Sequence, residues 1–194
     1  MAWDTERTKQ LLLDAATAEF SRYGLAGARM DRIASTAGVN KERIYQYFGK
    51  KDEIFGIVLA RQLAAVMEQV AIEGTGVEAV VDYAGRVFDY QVQHPELARL
   101  TFWEGLERDE PTALAARAAG ATSKVERLQQ ALPTLGQSDA RELLTTILTL
   151  CDGWQVLATM DRIYTGTTER TEERNAARRT AVLTAIEALT RALI

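Results

Sequence analysis

One cysteine, one histidine and three prolines in 194 residues rule out more than they supply. A lone Cys151 makes no intrachain disulfide and no structural zinc site by itself. Any Ser-His-Asp triad would have to use His94, and any Cys-His pair both Cys151 and His94. His94 precedes Pro95 at a helix junction, and Cys151 lies in the most apolar segment, where a thiol packs as a small unreactive hydrophobe. Acid pairs such as Asp109-Glu110 and Glu172-Glu173 fall at helix ends. There is no Gly-rich phosphate loop and no metal-ligand spacing. The chain therefore reads as a non-enzyme with no cofactor and no metal. No run approaches the ~18–20 apolar residues of a membrane span, and Met1-Ala-Trp-Asp-Thr-Glu carries no charged-then-apolar leader, so a cytoplasmic protein without a membrane partner is expected. Scarce proline and β-branched runs, with abundant Ala and Leu and 47% apolar residues, point to an all-α globule.

The chain does have a compact local pattern between Met30 and Lys51. Ile33, Ala34 and Ala37 recur at helical spacing, so this segment buries one side. Gly38 follows where a helix C-terminus takes a left-handed residue, which glycine adopts cheaply. Asn40 caps a second helix by accepting a backbone N–H. Ile44 and Phe48, one turn apart, anchor that helix, and Lys41, Arg43, Tyr45 and Tyr47 are left facing outward. Two short helices bent around one glycine form a helix-turn-helix, whose second helix enters the DNA major groove. The charge agrees. Residues 1–51 hold 9 Lys/Arg against 6 Asp/Glu and the remainder 14 against 21, which sets a +3 head on a −7 body.

Ile33-Ala34, Ala37-Gly38-Val39 and Ile44-Tyr45-x-Tyr47-Phe48-x-x-Lys51 resemble the N-terminal domain of TetR-type transcriptional regulators, over about Thr8 to Val58. The resemblance implies double-stranded DNA as partner, at an inverted-repeat operator. It assigns DNA contact to Arg29, Asn40, Lys41, Arg43, Tyr45, Tyr47 and Lys51, with Lys51 on phosphate and Asn40 mainly a cap. The chain departs from the family at two places. Ala28-Arg29 stands where a Thr or Ser pair usually enters the first motif helix, which removes a hydroxyl cap and leaves Arg29 to supply the phosphate contact. Glu42-Arg43 replaces the small residues common early in the recognition helix.

The division expected is a helix-turn-helix domain at 1–50 and a helical body at 51–194. A first helix spans about Asp4 to Tyr23, with Leu12, Ala15, Ala16 and Phe20 inward and Gly24 at its end. Lys51-Asp52-Glu53 opens a long connecting helix ended by Gly74-Thr-Gly76, the two acids suiting the positive end of its dipole. Further helices are expected at Val77 to His94, from Pro95 to about Asp109, at Ala113 to Leu132, from a Ser138 or Asp139 cap through Leu157, and from Thr171 to Ile194.

Phe88, Phe102, Trp103, Trp154, Met160 and Tyr164 are either plain core or the lining of a mostly apolar pocket for an unidentified small molecule. The resemblance favours the pocket, because TetR-like bodies commonly bind an inducer. His94-Pro-Glu-Leu-Ala-Arg-Leu and Phe102-Trp-Glu-Gly-Leu-Glu107 carry a weaker resemblance in this region and name no ligand. The helix holding Leu144 and Leu148 is apolar nearly all round. The last helix sets an alanine ridge (Ala181, Ala185, Ala188, Ala192) beside its large apolar stripe. These two helices from each of two subunits would make a four-helix bundle, and hence a homodimer. The alternative is a ridge packed inside one subunit. Three functions follow in order: a dimeric ligand-released repressor, a DNA-binding protein controlled by a protein partner, and an enzyme or purely structural helical bundle.

Overall fold

The computed structural model describes residues 2–167 and 169–194, with side chains from residue 5 onward. Ten helices and no strand occur among the described residues. The chain divides into two compact units: Met1–Ala65 with Arg99–Leu114, and Val66–Ala98 with Ala115–Ile194.

The first unit begins with α1 (Ala2–Gly27), whose regular course breaks at Gly24 (φ 70°, ψ −177°), one residue past the Tyr23 end expected. Then come α2 (Met30–Ala37), α3 (Lys41–Phe48) and the first four turns of α4 (Lys51–Gln69). Leu12, Ala16, Phe20, Ile33, Ile44, Ile54, Phe55 and Leu59 form its interior, with the Phe20 and Phe55 rings edge-to-face at 5.4 Å. Such aromatic pairs add about 0.5–1.5 kcal/mol beyond their burial. A distant stretch of chain completes the unit, namely α6 (Pro95–Glu107) from Arg99 onward with the segment to Leu114.

The second unit is built on α5 (Gly76–Gln93), α7 (Leu114–Ala131), α8 (Gln137–Val156) and α10 (Glu172–Leu193), with α5, α8 and α10 packed on one another. Val80, Tyr83, Phe88, Leu128, Leu143, Ile147, Cys151 and Ile186 are its buried core. Arg179 on α10 forks onto both oxygens of Asp89 on α5 at 2.8 and 2.9 Å. Gly85 makes room for that guanidinium, since a Cβ there would stand 2.5 Å from Arg179 Nη2.

Two expectations about element ends need correction. α4 stops at Gln69, not at Gly74, because Val70 and Ile72 leave the helix to be buried. α8 starts earlier than a Ser138 or Asp139 cap allows: Gly136 is its N-cap residue, with no side-chain cap. The far end of α8 agrees with the expected bound, Leu157 being its C-cap residue, and a helix the sequence reading did not include, α9 (Ala158–Thr165), follows at a bend of 76°. No single helix among the described residues is long and apolar enough to cross a membrane.

Candidate nucleic-acid interface

The reading head is assembled by its own turn chemistry. Gly38 takes the left-handed conformation (φ 65°, ψ 30°), and the N–H of Val39 returns to Ala34 O at 3.0 Å, closing α2. Asn40 Oδ1 then accepts the N–H of Glu42 at 3.2 Å and opens α3. Ile44 is 1% exposed and pins α3 to the unit's interior. Lys41, Arg43 and Tyr45 are exposed on α3, and Tyr47 is half-buried with Lys9 Nζ 5.9 Å from its ring centre. The helix thus offers two cations and two phenol hydroxyls on a short, rigidly capped rod. Sequence reading passed over Gln46, which is also exposed on α3, one turn from Glu42. Its amide is the group that pairs with adenine edges, and helical spacing alone would have placed it on the outer face.

The start of α2 has no side-chain cap and is braced from another helix instead, at the N–H of the N-cap residue itself. Glu19, buried on α1, accepts the Arg29 N–H at 2.7 Å and Arg32 Nε at 2.8 Å. Its carboxylate raises the Arg32 guanidinium above the usual arginine value, chiefly through that hydrogen bond. Arg29, the N-cap residue, turns its side chain to Asp31 instead, with Nη2–Oδ2 at 2.7 Å. The Arg29 hydrogen bond holds the Asp31 carboxyl below the ordinary carboxylate range.

The turn between α1 and α2 is gripped from two sides. Lys51 Nζ donates to Ala26 O at 3.1 Å and to Ala28 O at 2.9 Å, so two of its three donors are committed inside the head. Glu107, at the end of α6, accepts the N–H groups of Leu25 (2.5 Å) and Ala26 (3.1 Å). Trp103 Nε1 and Arg99 Nε both donate to Ser21 O, at 3.2 and 2.7 Å.

The candidate pocket residues are not brought together as one group. Trp154, Met160 and Tyr164 line one cavity of about 340 Å³ in the second unit. Phe88, 1% exposed, lines a different cleft of about 280 Å³ with Asn175 and Arg179. Trp103 and Phe102 belong to the first unit, where the Trp103 indole serves the α1 carbonyl and Phe102 stands exposed. On α8, Leu144 is buried and Leu148 exposed, and on α10 Ala181, Ala185, Ala188 and Ala192 are all exposed. Cys151 is fully buried against Ala84 O, and burial pushes its thiol up to about 12, so it stays protonated.

Residues 12–57 match the family described as "Bacterial regulatory proteins, tetR family", and residues 79–187 match "Tetracyclin repressor-like, C-terminal domain". The chain is 46% identical over 106 residues to the HTH-type transcriptional repressor SCO4008 of Streptomyces coelicolor, covering 55% of this chain and 54% of that protein. It is 31% identical over 111 residues to the HTH-type transcriptional repressor NicS of Pseudomonas putida, covering 55% and 52%. The chain thus spans about half the length of these curated relatives. The crystal structure of SCO4942 from Streptomyces coelicolor superposes with a TM-score of 0.76 at 30% identity, covering 94% of this chain and 97% of that one. NalD, described as the secondary repressor of the MexAB-OprM multidrug efflux pump of Pseudomonas aeruginosa, shares the fold at a TM-score of 0.65 and 18% identity. The protein belongs to the tetR family of bacterial regulatory proteins, helix-turn-helix regulators of transcription rather than enzymes.

Proposed function

We propose that the protein is a homodimeric repressor that holds an inverted-repeat operator with α3 and releases it when a small molecule enters the body. The observation that carries the DNA half of this reading is α3 itself: an eight-residue helix capped at Asn40, pinned by Ile44, with Lys41, Arg43, Tyr45 and Gln46 exposed. Arg43 suits a guanine edge, Lys41 a guanine or phosphate, and the tyrosine hydroxyls and Arg29 the backbone. Lys51 supplies positive charge at the α1–α2 turn as well as holding it. Two repressors among the relatives, SCO4008 and NicS, support the sign of regulation.

The dimer reading rests on the outer faces of α8 and α10. Leu148 and the ridge Ala181, Ala185, Ala188 and Ala192 are exposed in a single chain, and small side chains let another helix approach closely. Two copies of α3 related by a two-fold axis must meet major grooves one helical turn, ~34–36 Å, apart or a multiple of it. Sedimentation of Ala185→Arg tests the seam. The variant should run as a monomer with a folded head and lose operator binding, and a variant that stays dimeric places the interface elsewhere. Ligand control is supported by the cavity at Trp154, Met160 and Tyr164. A ligand acts through its different affinity for two states, and a tenfold loss of DNA affinity needs about 1.4 kcal/mol of coupling.

A further inference from the structure

Arginine at 170, 174 and 178 recurs every four residues, so the last two share a face of α10 and the first leads into it. All three converge on one indole. Their guanidinium carbons lie 3.9, 4.8 and 5.8 Å from the Trp154 ring centre. Trp154 is 5% exposed, and its N–H is fixed on Asn175 Oδ1 at 2.9 Å, so the ring is a rigid platform. Cation–π contact holds each guanidinium without using its N–H donors.

One buried carboxylate faces the three cations. Asp161 Oδ1 takes both Nε and Nη2 of Arg174, at 3.0 and 2.6 Å, while Arg170 Nε stands 3.8 Å from Oδ2. Of the other acids nearby, Glu173 is tied to Thr171 and Asp152 accepts from Gln91, while Glu172 is exposed at the Phe88 cleft. Two positive charges are left over. Arg170 Nε and Nη2 and Arg178 Nε are buried and have no hydrogen-bond partner among the described residues. Buried unpaired donors on a charged group are costly, and an anion is the partner that removes the cost. Burial lowers the Arg170 guanidinium from its ordinary value, and the neighbouring Arg174 and Arg178 add to that.

Beside this cluster lies the cavity of about 340 Å³, whose wall includes Arg174 and Arg178, the Asp161 carboxylate that Arg174 holds, and Thr149 and Tyr164, with Leu150, Trp154, Leu157 and Met160 as its apolar part. That volume is near the lower end of the ~300–1,000 Å³ range of small-molecule sites. We propose that this cavity binds a small apolar carboxylate, its head on Arg178 of the cavity wall, with Arg170 against the Trp154 ring adding positive charge nearby, and its tail across Trp154, Leu157 and Met160. Planar guanidinium matches carboxylate two bonds at a time, and the surplus positive charge turns cations away. The assignment rests on the ligand-responsive reading above and gives its effector a chemical class.

The test compares three ten-carbon probes on the full-length protein by calorimetry: decanoate, 1-decanol and decyltrimethylammonium. Decanoate should saturate one site per chain at least about tenfold more tightly than the alcohol, and the cation should not bind. Arg178→Gln should weaken decanoate by about tenfold and Arg170→Gln by less, both leaving decanol unchanged, with melting temperatures checked alongside. Gly153→Leu fills the cavity without touching charge, since a Cβ there meets only Leu157 Cδ1 at 3.7 Å, and it should block decanoate and decanol alike. Equal binding of decanoate and decanol, or decanoate binding indifferent to both arginine variants and to Gly153→Leu, overturns the site, as does absence of decanoate binding. Operator release is measured separately. Decanoate bound selectively with operator retained leaves the site standing and overturns ligand control, whereas release by molecules indifferent to Arg178 overturns the site and leaves ligand control intact.

Discussion

Replacing Glu19 by Ala tests how the head dispenses with the hydroxyl cap usual in its family. Glu19 is 8% exposed and gives one oxygen, Oε1, to the Arg29 N–H at 2.7 Å and to Arg32 Nε at 2.8 Å. Loss of a helix N-cap costs about 0.5–2 kcal/mol, with ~1 typical. A hydrogen bond to a charged group is worth about 1.5–3 kcal/mol when buried. The Arg32 side chain is 39% exposed and rehydrates when released, so that second contribution falls toward the low surface-pair range. The sum is about 2 kcal/mol, concentrated on the opening of α2. Amide hydrogen exchange resolved to residues 29–37 is the suitable assay, because it reads local opening directly. At ~1.4 kcal/mol per tenfold, exchange there should accelerate by about 30-fold. Glu19→Gln keeps a carbonyl for the Arg29 N–H and should recover about half of the loss in free energy. Arg29→Ser in the Glu19→Ala background restores a hydroxyl cap and should return about 1 kcal/mol. Exchange in α2 changed by less than about threefold in Glu19→Ala would refute the reasoning.

Asp152 gives a pH-dependent prediction. Burial raises its carboxyl from an ordinary value near 3.8 to about 6. Because the folded-state value is the higher one, the stability involved is present below pH ~4 and is lost as pH rises through about 6. Asp152→Asn keeps an acceptor for Gln91 Nε2 and should stabilise the protein by up to about 3 kcal/mol at pH 8 and by almost nothing at pH 4. Denaturant titrations at the two pH values check this, and a gain independent of pH contradicts it. Lys51→Ala should weaken binding to specific and random DNA alike and make the slope of log K against log salt shallower by about one, as loss of one phosphate contact does. Anisotropy titrations across a salt series read that slope.

The helix-turn-helix was legible because everything that shapes it is local: Gly38 ends α2, Asn40 starts α3 and Ile44 fixes which side faces in. What the sequence hid came from afar or left no mark. Glu107 reaches the α1–α2 turn across 82 positions, and Glu19 braces the Arg29 N–H where a side-chain cap is absent. The bend into α9 falls at Leu157-Ala158, where neither proline nor glycine announces it. α4 ends at Gln69 because burial of Val70 and Ile72 outweighs helix continuation, although Gly74 is the visible breaker. Among the aromatic residues, composition indicated pocket or core without saying which. Trp103 serves a carbonyl of α1, whereas Trp154 anchors an arginine cluster whose four-residue spacing was there to be read.

The central claim, that α3 reads DNA, is tested most directly by a position-by-position affinity profile on a library of operator variants, for the wild-type protein and Arg43→Ala. The account predicts a two-fold symmetric profile for the wild type. In Arg43→Ala, preference should relax at one position in each half-site, at a cost of roughly 1–3 kcal/mol, with the other positions unchanged. A profile that Arg43→Ala leaves intact, in affinity and in preference, would contradict it.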